Sequence, residues 1–214
     1  GDRVVAPCKF GGYTNLITLP ESYVYKIPDH LSFEEAACIP VNFITAWIAL
    51  HEMGRVRKGD TVLIQSAAGG VGTAAVQMAA LAGAKVTGLV GSVDKKDYVK
   101  KLGAQEVLTY SEYEQKRNSS PPPRYDIILD SKGGSELKKC FKDLASMGRV
   151  ITFGVSQMIT SNKRSILSTI KFLFNTPLFP SLMLMMANKG VFGLNVLQLV
   201  DNPQRLKLMF DEIL

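Results

Sequence analysis

An α/β fold built on a doubly wound parallel sheet is predicted by three observations. The stretch Thr61 to Gly91 reads as strand, turn, helix and strand, the order of a βαβ unit of about thirty residues. The same alternation of short apolar runs with helical stretches continues to Gly154, which calls for parallel strands joined by helices. Between the first strand and its helix lies Ala67-Ala68-Gly69-Gly70-Val71-Gly72, a turn made only of small residues and valine.

Taken in order, residues 1 to about 28 read as short strands, Arg3 to Ala6, Tyr13 to Leu19 and Tyr23 to Ile27, separated by Gly11-Gly12 and Pro20-Glu21-Ser22. Such a run ahead of a helical region predicts part of a small β-rich domain outside the main sheet. Ser32-Phe33-Glu34-Glu35 has the pattern of a capping box and starts a short helix ending near Pro40. A longer helix is predicted from Asn42 to Met53, with Trp47 and Leu50 facing the core and His51 at its exposed end. Thr61 to Ser66 is a buried strand. The helix Val71 to Ala82 carries Val71, Ala75, Met78 and Ala82 on one face, and Lys85 to Val90 is the next strand. A helix over Val93 to Leu102 and a strand over Glu106 to Thr109 follow. The polar, proline-rich residues 115–124 read as a surface loop. Tyr125 to Leu129 is a strand, Ser135 to Leu144 a helix and Gly148 to Phe153 a strand. Ile166 to Ala187 is the most apolar segment. Lys171, Asn175, Pro177 and Pro180 interrupt it, so it reads as two short helices and not as a membrane span, which needs roughly twenty apolar residues. Val191 to Asn195 is a further strand and Pro203 to Leu214 a helix.

Bulk properties narrow the classes. Of 214 residues, 46% are hydrophobic and mean hydropathy is +0.10, enough to bury a core. Three cysteines, Cys8, Cys38 and Cys140, stand far apart in no paired spacing, which argues against a disulfide framework or structural zinc and for a reducing compartment. The net charge of +6 is spread out and lacks the interleaved aromatics of a nucleic-acid face. The chain opens Gly1-Asp2-Arg3 without an initiator methionine, and reads as an excerpt of a longer protein.

The glycine-rich turn carries the chemistry. Following a strand and opening a helix, it would let backbone N–H groups approach a pyrophosphate at the positive end of that helix. In the usual dinucleotide fingerprint the first glycine is replaced by Ala67, and Gly69 and Gly72 take the second and third positions. An Asp or Glu at the tip of the second strand would accept from the ribose hydroxyls of NAD. Here the strand ends Val90-Gly91-Ser92-Val93 without one, and Ser92, Lys95 and Lys96 lie within a turn. A hydroxyl and two cations suit a 2′-phosphate, which points to NADP(H); Asp94 among them argues the other way.

Gly1-Asp2-Arg3-Val4, Leu31 to Ala37, Thr45-Ala46-Trp47, Ala67 to Gly72, Leu102-Gly103-Ala104 and Asp126 to Asp130 occur in this order. Together they resemble the medium-chain dehydrogenase/reductase superfamily and, within it, the zinc-free quinone oxidoreductase branch. Val41 to Ala46, and Phe153-Gly154 through Lys163-Arg164, resemble the subgroup of vesicle amine transport protein homologs. The resemblance implies a Rossmann sheet over residues 39–214, cut short at its C-terminus, and residues 1–38 as the incomplete tail of a GroES-like catalytic domain. It implies that Ala68, Gly69, Gly70 and Val71 line the pyrophosphate, and that Ser92, Lys95 and Tyr110 contact the 2′-phosphate. Gly154, Val155, Phe192 and Leu194 would run near the nicotinamide, and Asn42 and Thr45 would approach it from the catalytic side. In zinc-dependent relatives a cysteine ligand lies four residues before the Thr-Ala of this helix; here that residue is Val41, which cannot serve as a thiolate ligand, so no metal is expected.

The activity so implied is hydride transfer from NADPH to a quinone or enone in a cytoplasmic homodimer. No acid–base residue is named, because no Ser/His/Asp or Cys/His constellation is visible. The alternative is an NADPH-binding, catalytically weak interaction protein peripheral to vesicle or mitochondrial outer membranes. The disposition of Ile166 to Ala187 separates the two, since a contiguous exposed apolar patch marks an interaction surface.

Overall fold

The computed structural model describes residues 1–154, 175–198 and 202–214. Its centre is a six-stranded sheet of β3 (Thr61–Ile64), β4 (Lys85–Val90), β5 (Glu106–Thr109), β6 (Tyr125–Asp130), β7 (Leu144–Thr152) and β8 (Gly190–Gly193), in the order β5-β4-β3-β6-β7-β8. Every pairing is parallel. This is the strand order of a doubly wound dinucleotide fold, which reverses direction between its first and fourth strands, here β3 and β6. Val62, Leu63, Ile64, Ile127, Ile128, Leu129, Val150 and Ile151 are all buried, as strands covered on both faces require.

Two hydrophobic clusters lie on either side of the sheet. One packs helix α2 (Gly70–Leu81) and the long helix α1 (Phe33–Met53) against Val62, Ile64, Val86 and Val90. The other gathers Leu63, Leu89, Ile128 and Val150 with Tyr113 of α4 (Tyr110–Arg117) and with Leu137, Cys140 and Phe141 of α5 (Ser135–Asp143). The short helix α3 (Lys96–Lys101) joins β4 to β5, and α6 (Ser181–Ala187) precedes β8.

Helix α1 departs from expectation. Instead of breaking near Pro40 it continues from Phe33 to Met53, with π-helical turns at Ile39–Phe43 and Ile48–Met53. Proline lacks an N–H and crowds the carbonyl four residues back. Here it falls in the first turn of a π segment, whose wider hydrogen-bond spacing leaves room for it. The expected capping box at its start is formed, with Ser32 accepting from Glu35 N–H and Glu35 accepting from Ser32 N–H. By length and composition alone this helix could cross a membrane, yet Ile44, Ala46, Ala49 and Leu50 are fully buried in the core.

The N-terminal stretch forms only one two-stranded antiparallel ribbon, β1 (Val4–Val5) with β2 (Tyr25–Lys26). The strand expected over Tyr13 to Leu19 is absent, and Tyr13 and Leu16 are exposed with no strand beside them. The last helix, α7 (Pro203–Ile213), holds both the ribbon and α1: Tyr25 of β2 stacks on Phe210 with centroids 3.9 Å apart, and Trp47 Nε1 of α1 donates to Glu212 at 2.9 Å.

Two further boundaries differ. Residues expected to open the surface loop instead end α4, which a capping box between Thr109 and Glu112 starts at Tyr110. Strand β7 begins at Leu144, four residues early, across an irregularity in its pairing with β6. The buried face of α2 is centred on Gly72, Ala75, Val76 and Ala79, not on Val71 and Met78. Of the apolar segment Ile166 to Ala187, residues 166–174 lie outside the described residues. In the rest, Leu178, Leu182, Met185 and Met186 are exposed.

Candidate cofactor site

Where β3 ends, the sheet parts. Gln65 N–H donates to Leu129 C=O of β6 at 3.1 Å, while two residues on Ala67 N–H donates to Leu89 C=O of β4 at 2.9 Å. Between them Ser66 adopts φ +51°, a left-handed conformation uncommon for a serine and typical of constrained functional turns. Three partners hold it there. Gly69 N–H donates to its carbonyl at 2.8 Å, its own N–H donates to Tyr110 Oη at 3.0 Å, and its Oγ is 2.8 Å from Ser131 Oγ.

Helix α2 starts directly on this turn. Its N-cap, Gly69, offers no side-chain cap, and the first intrahelical bond into the turn is Thr73 N–H to Gly69 C=O. Among the described residues no acceptor meets the N–H groups of Gly70 and Val71, both at the positive end of a twelve-residue helix, where an anion is favoured. The glycines here answer to different neighbours. A Cβ at Gly72 would lie 2.1 Å from Ser66 O, so this residue sets how closely α2 packs on the turn. A Cβ at Gly70 would lie 2.5 Å from Asn42 Oδ1. Asn42, carried by the π segment of α1, therefore stands against the phosphate-side turn. The geometry fits a pyrophosphate.

Thr45 is placed differently from Asn42. Its side chain is buried, and its hydroxyl donates to Val41 C=O at 2.5 Å. Val41 is exposed. Among the described residues no group of three or more His, Cys, Asp or Glu could hold a metal ion.

At the tip of β4 Gly91 is followed by Ser92, whose nearby side chain, with Lys95, holds the Asp94 carboxyl below its ordinary range. Lys95 is exposed, and among the described residues it joins no salt bridge. Lys96, by contrast, is taken up by Glu112, at 2.8 and 2.5 Å; only one of the two expected cations is available. Tyr110 is half-buried, and that burial raises its hydroxyl above the ordinary value, opposed by the bonds with Ser66. Gly154 sits where a Cβ would be 2.2 Å from Ser131 O, so the ends of β6 and β7 meet closely. Val155 lies outside the described residues. Phe192 is exposed on β8, whereas Leu194 is buried and its N–H donates to Thr152 C=O at 2.9 Å.

Sequence reasoning missed Ser66, Ser131 and Lys132. The ammonium of Lys132 lies over the Tyr110 ring, 3.3 Å from its centroid. Asp130, fully buried, accepts from the N–H groups of Lys132 and Gly133 at 3.0 and 3.1 Å. The run Asp130-Ser131-Lys132-Gly133-Gly134, a strand ending in Asp before paired glycines, is the signal that could have drawn attention to this loop. Cys140, which is also buried, accepts from Gln65 Nε2 at 3.2 Å, and burial raises its thiol; all three cysteines are free thiols.

Comparison with known proteins agrees with this architecture. The synaptic vesicle membrane protein VAT-1 homolog of Rattus norvegicus is 32% identical over 198 residues, 92% of this chain and 49% of that protein. The chain thus spans about half the length of the curated relatives it matches. The quinone oxidoreductase of Thermus thermophilus, solved also in complex with NADPH, superposes with a TM-score of 0.80 at 29% identity, covering 99% of this chain and 63% of that one. The human VAT-1 homolog-like protein gives a TM-score of 0.72 at 27% identity, covering 100% and 57%. Residues 70–209 match the family model for zinc-binding dehydrogenases. On that match, and on a sheet wound as in its structural relatives, the chain belongs to the zinc-binding dehydrogenase family of medium-chain dehydrogenase/reductases.

Proposed function

We propose that the chain is the NADPH-binding part of an oxidoreductase that delivers hydride to a quinone or an enone without a catalytic zinc. The observation that carries this reading is the uncapped start of α2 beside a β4 tip that bears Ser92 and the exposed Lys95, with no Asp or Glu at Gly91 or Ser92 and with the Asp94 carboxylate set against Ser92. Bound there, a reduced nicotinamide supplies the hydride, and the protein contributes binding, orientation and electrostatics. Ala68, Gly69, Gly70 and Val71 would hold the pyrophosphate, and Ser92, Lys95 and Tyr110 the 2′-phosphate. Asn42, Thr45, Gly154, Val155, Phe192 and Leu194 would flank the nicotinamide. A cleft of about 970 Å³ between the N-terminal stretch and α1, lined by residues including Cys8, Phe33, Ala37, Pro40 and Val41, is mostly apolar and suits a flat, uncharged acceptor.

This reading takes residues 1–38 as the tail of a GroES-like domain and residues 39–214 as the Rossmann domain. It takes the whole protein as a cytoplasmic homodimer that associates with vesicle or mitochondrial outer membranes. The exposed Leu178, Leu182, Met185 and Met186 favour a second reading, an NADPH-binding interaction protein with weak catalysis. Following NADPH oxidation by the full-length protein against a panel of quinones and enones tests the first reading. Turnover of at least one acceptor supports it, and tight NADPH binding with none turned over favours the second.

A further inference from the structure

The Tyr110 ring joins three strand ends. Val90 of β4 pairs with Thr109 of β5, so Ser92 and Tyr110 lie just beyond the same rung of the sheet. From there Tyr110 leans inward to Ser66 at the end of β3, its Oη 3.0 Å from Ser66 N. Ser66 in turn meets Ser131 at the end of β6. The next residue, Lys132, brings its ammonium onto the Tyr110 ring at 3.3 Å.

This lysine is neither a solvated surface cation nor half of an ion pair. It is half-buried, and among the described residues it joins no salt bridge; Glu136 attracts it only at longer range. Burying an ammonium is costly unless it is paired, and an aromatic face offsets only part of that cost. Its loop is also fixed in place: Asp130 holds the Lys132 and Gly133 N–H groups, and Gly133 and Gly134 take positive φ values of 67° and 57°. A positioned, partly desolvated ammonium with unfilled donors needs an anionic acceptor close by. A 2′-phosphate beside Tyr110 would supply one.

The geometry points to Lys132 as a specificity-determining residue that, with Lys95, binds the 2′-phosphate of the adenosine ribose from the β6 side of Tyr110. The inference rests on the crevice being an NADPH site. It assigns the discrimination against NADH to two cations in the segments that follow different strands, where the sequence around β4 offers only one that is free of a salt bridge among the described residues.

Titration of the full-length protein with NADPH, NADH, adenosine 2′,5′-bisphosphate and adenosine 5′-monophosphate tests it, on wild type, Lys132→Met, Lys132→Arg and Lys95→Ala. Lys132→Met should weaken NADPH and the bisphosphate about tenfold, the scale of one hydrogen bond to a charged group. It should leave NADH and the monophosphate unchanged, and Lys132→Arg should recover most of the loss. Unchanged NADPH affinity in Lys132→Met overturns the inference, as does an equal loss for NADH. If Lys132→Met melts below the assay temperature, Lys132→Gln carries the same comparison. Wild type without a preference for NADPH overturns both this inference and the site reading. A wild-type preference lowered by Lys95→Ala but not by Lys132→Met overturns this inference alone.

Discussion

Replacing Gly72 by alanine tests the closeness of helix and turn on which the site depends. The new Cβ would lie 2.1 Å from Ser66 O and 2.8 and 2.9 Å from Ala67 Cα and C. All three are backbone atoms, so no side chain can rotate away; α2 must withdraw from the turn by about 1 Å to reach ordinary contact. Overpacking of this kind costs about 3 kcal/mol, and the helix recovers about 1 kcal/mol from exchanging glycine for alanine. The net loss of about 2 kcal/mol lowers the melting temperature by roughly 4–8 °C in a chain of this size. Gly69→Ala is the control, since its Cβ would stand 3.1 Å from the same oxygen at a negative φ of −88°. A thermal melt followed by circular dichroism reads both. If Gly72→Ala melts at or above wild type, the packing argument is wrong.

Asp143 is buried, pairs with Arg117 at 2.7 Å and accepts from Tyr113 Oη at 2.7 Å. Asp143→Ala leaves a mostly buried guanidinium with Glu114 as its remaining carboxylate and the Tyr113 hydroxyl without its acceptor, and should cost about 2–3 kcal/mol in urea unfolding; a loss below about 1 kcal/mol would contradict this. Glu112 is held down to about 2 from an ordinary 4.5, first by Lys96 and then by the Thr109 N–H. Its folded value is depressed, so its contribution is present above pH 4.5 and lost as pH falls towards 2. The difference in melting temperature between wild type and Glu112→Gln should therefore shrink over that window, and a constant difference would count against the pairing. Ser92→Asp places a carboxylate at the tip of β4 and should weaken NADPH while strengthening NADH in fluorescence titration. Weakening of both cofactors alike would indicate a damaged turn.

Much of the fold was legible because parallel strands buried on both faces are continuous apolar runs, and the helices between them carry clear stops. The run from Thr61 to Ile64 and that from Lys85 to Val90 needed no tertiary information. Pro40 misled because its usual effect assumes α-helical spacing, whereas the π turn that accommodates it packs against α2, a contact between segments far apart in the sequence. The capping box from Thr109 to Glu112 was readable in the sequence and was masked by the proline-rich residues just after it. For the site, the turn at Gly69 to Gly72 was visible as composition and spacing. The hold of Tyr110 on Ser66 and the placement of Lys132 were not, because they join residues 44 and 22 positions apart that only the strand order brings together. The loss of Lys96 to Glu112 is likewise a tertiary event.

The claim on which the rest depends is that the crevice between β3 and β6 selects NADPH. The ratio of dissociation constants for NADPH and NADH, measured on the full-length protein at one ionic strength, tests it most directly. With the exposed Lys95 beyond β4 and no Asp or Glu at the strand end itself, NADPH should bind tighter by about tenfold or more, the scale of one charge-assisted contact, and the gap should narrow as salt screens the exposed cation. Equal affinities, or tighter binding of NADH, would contradict the account.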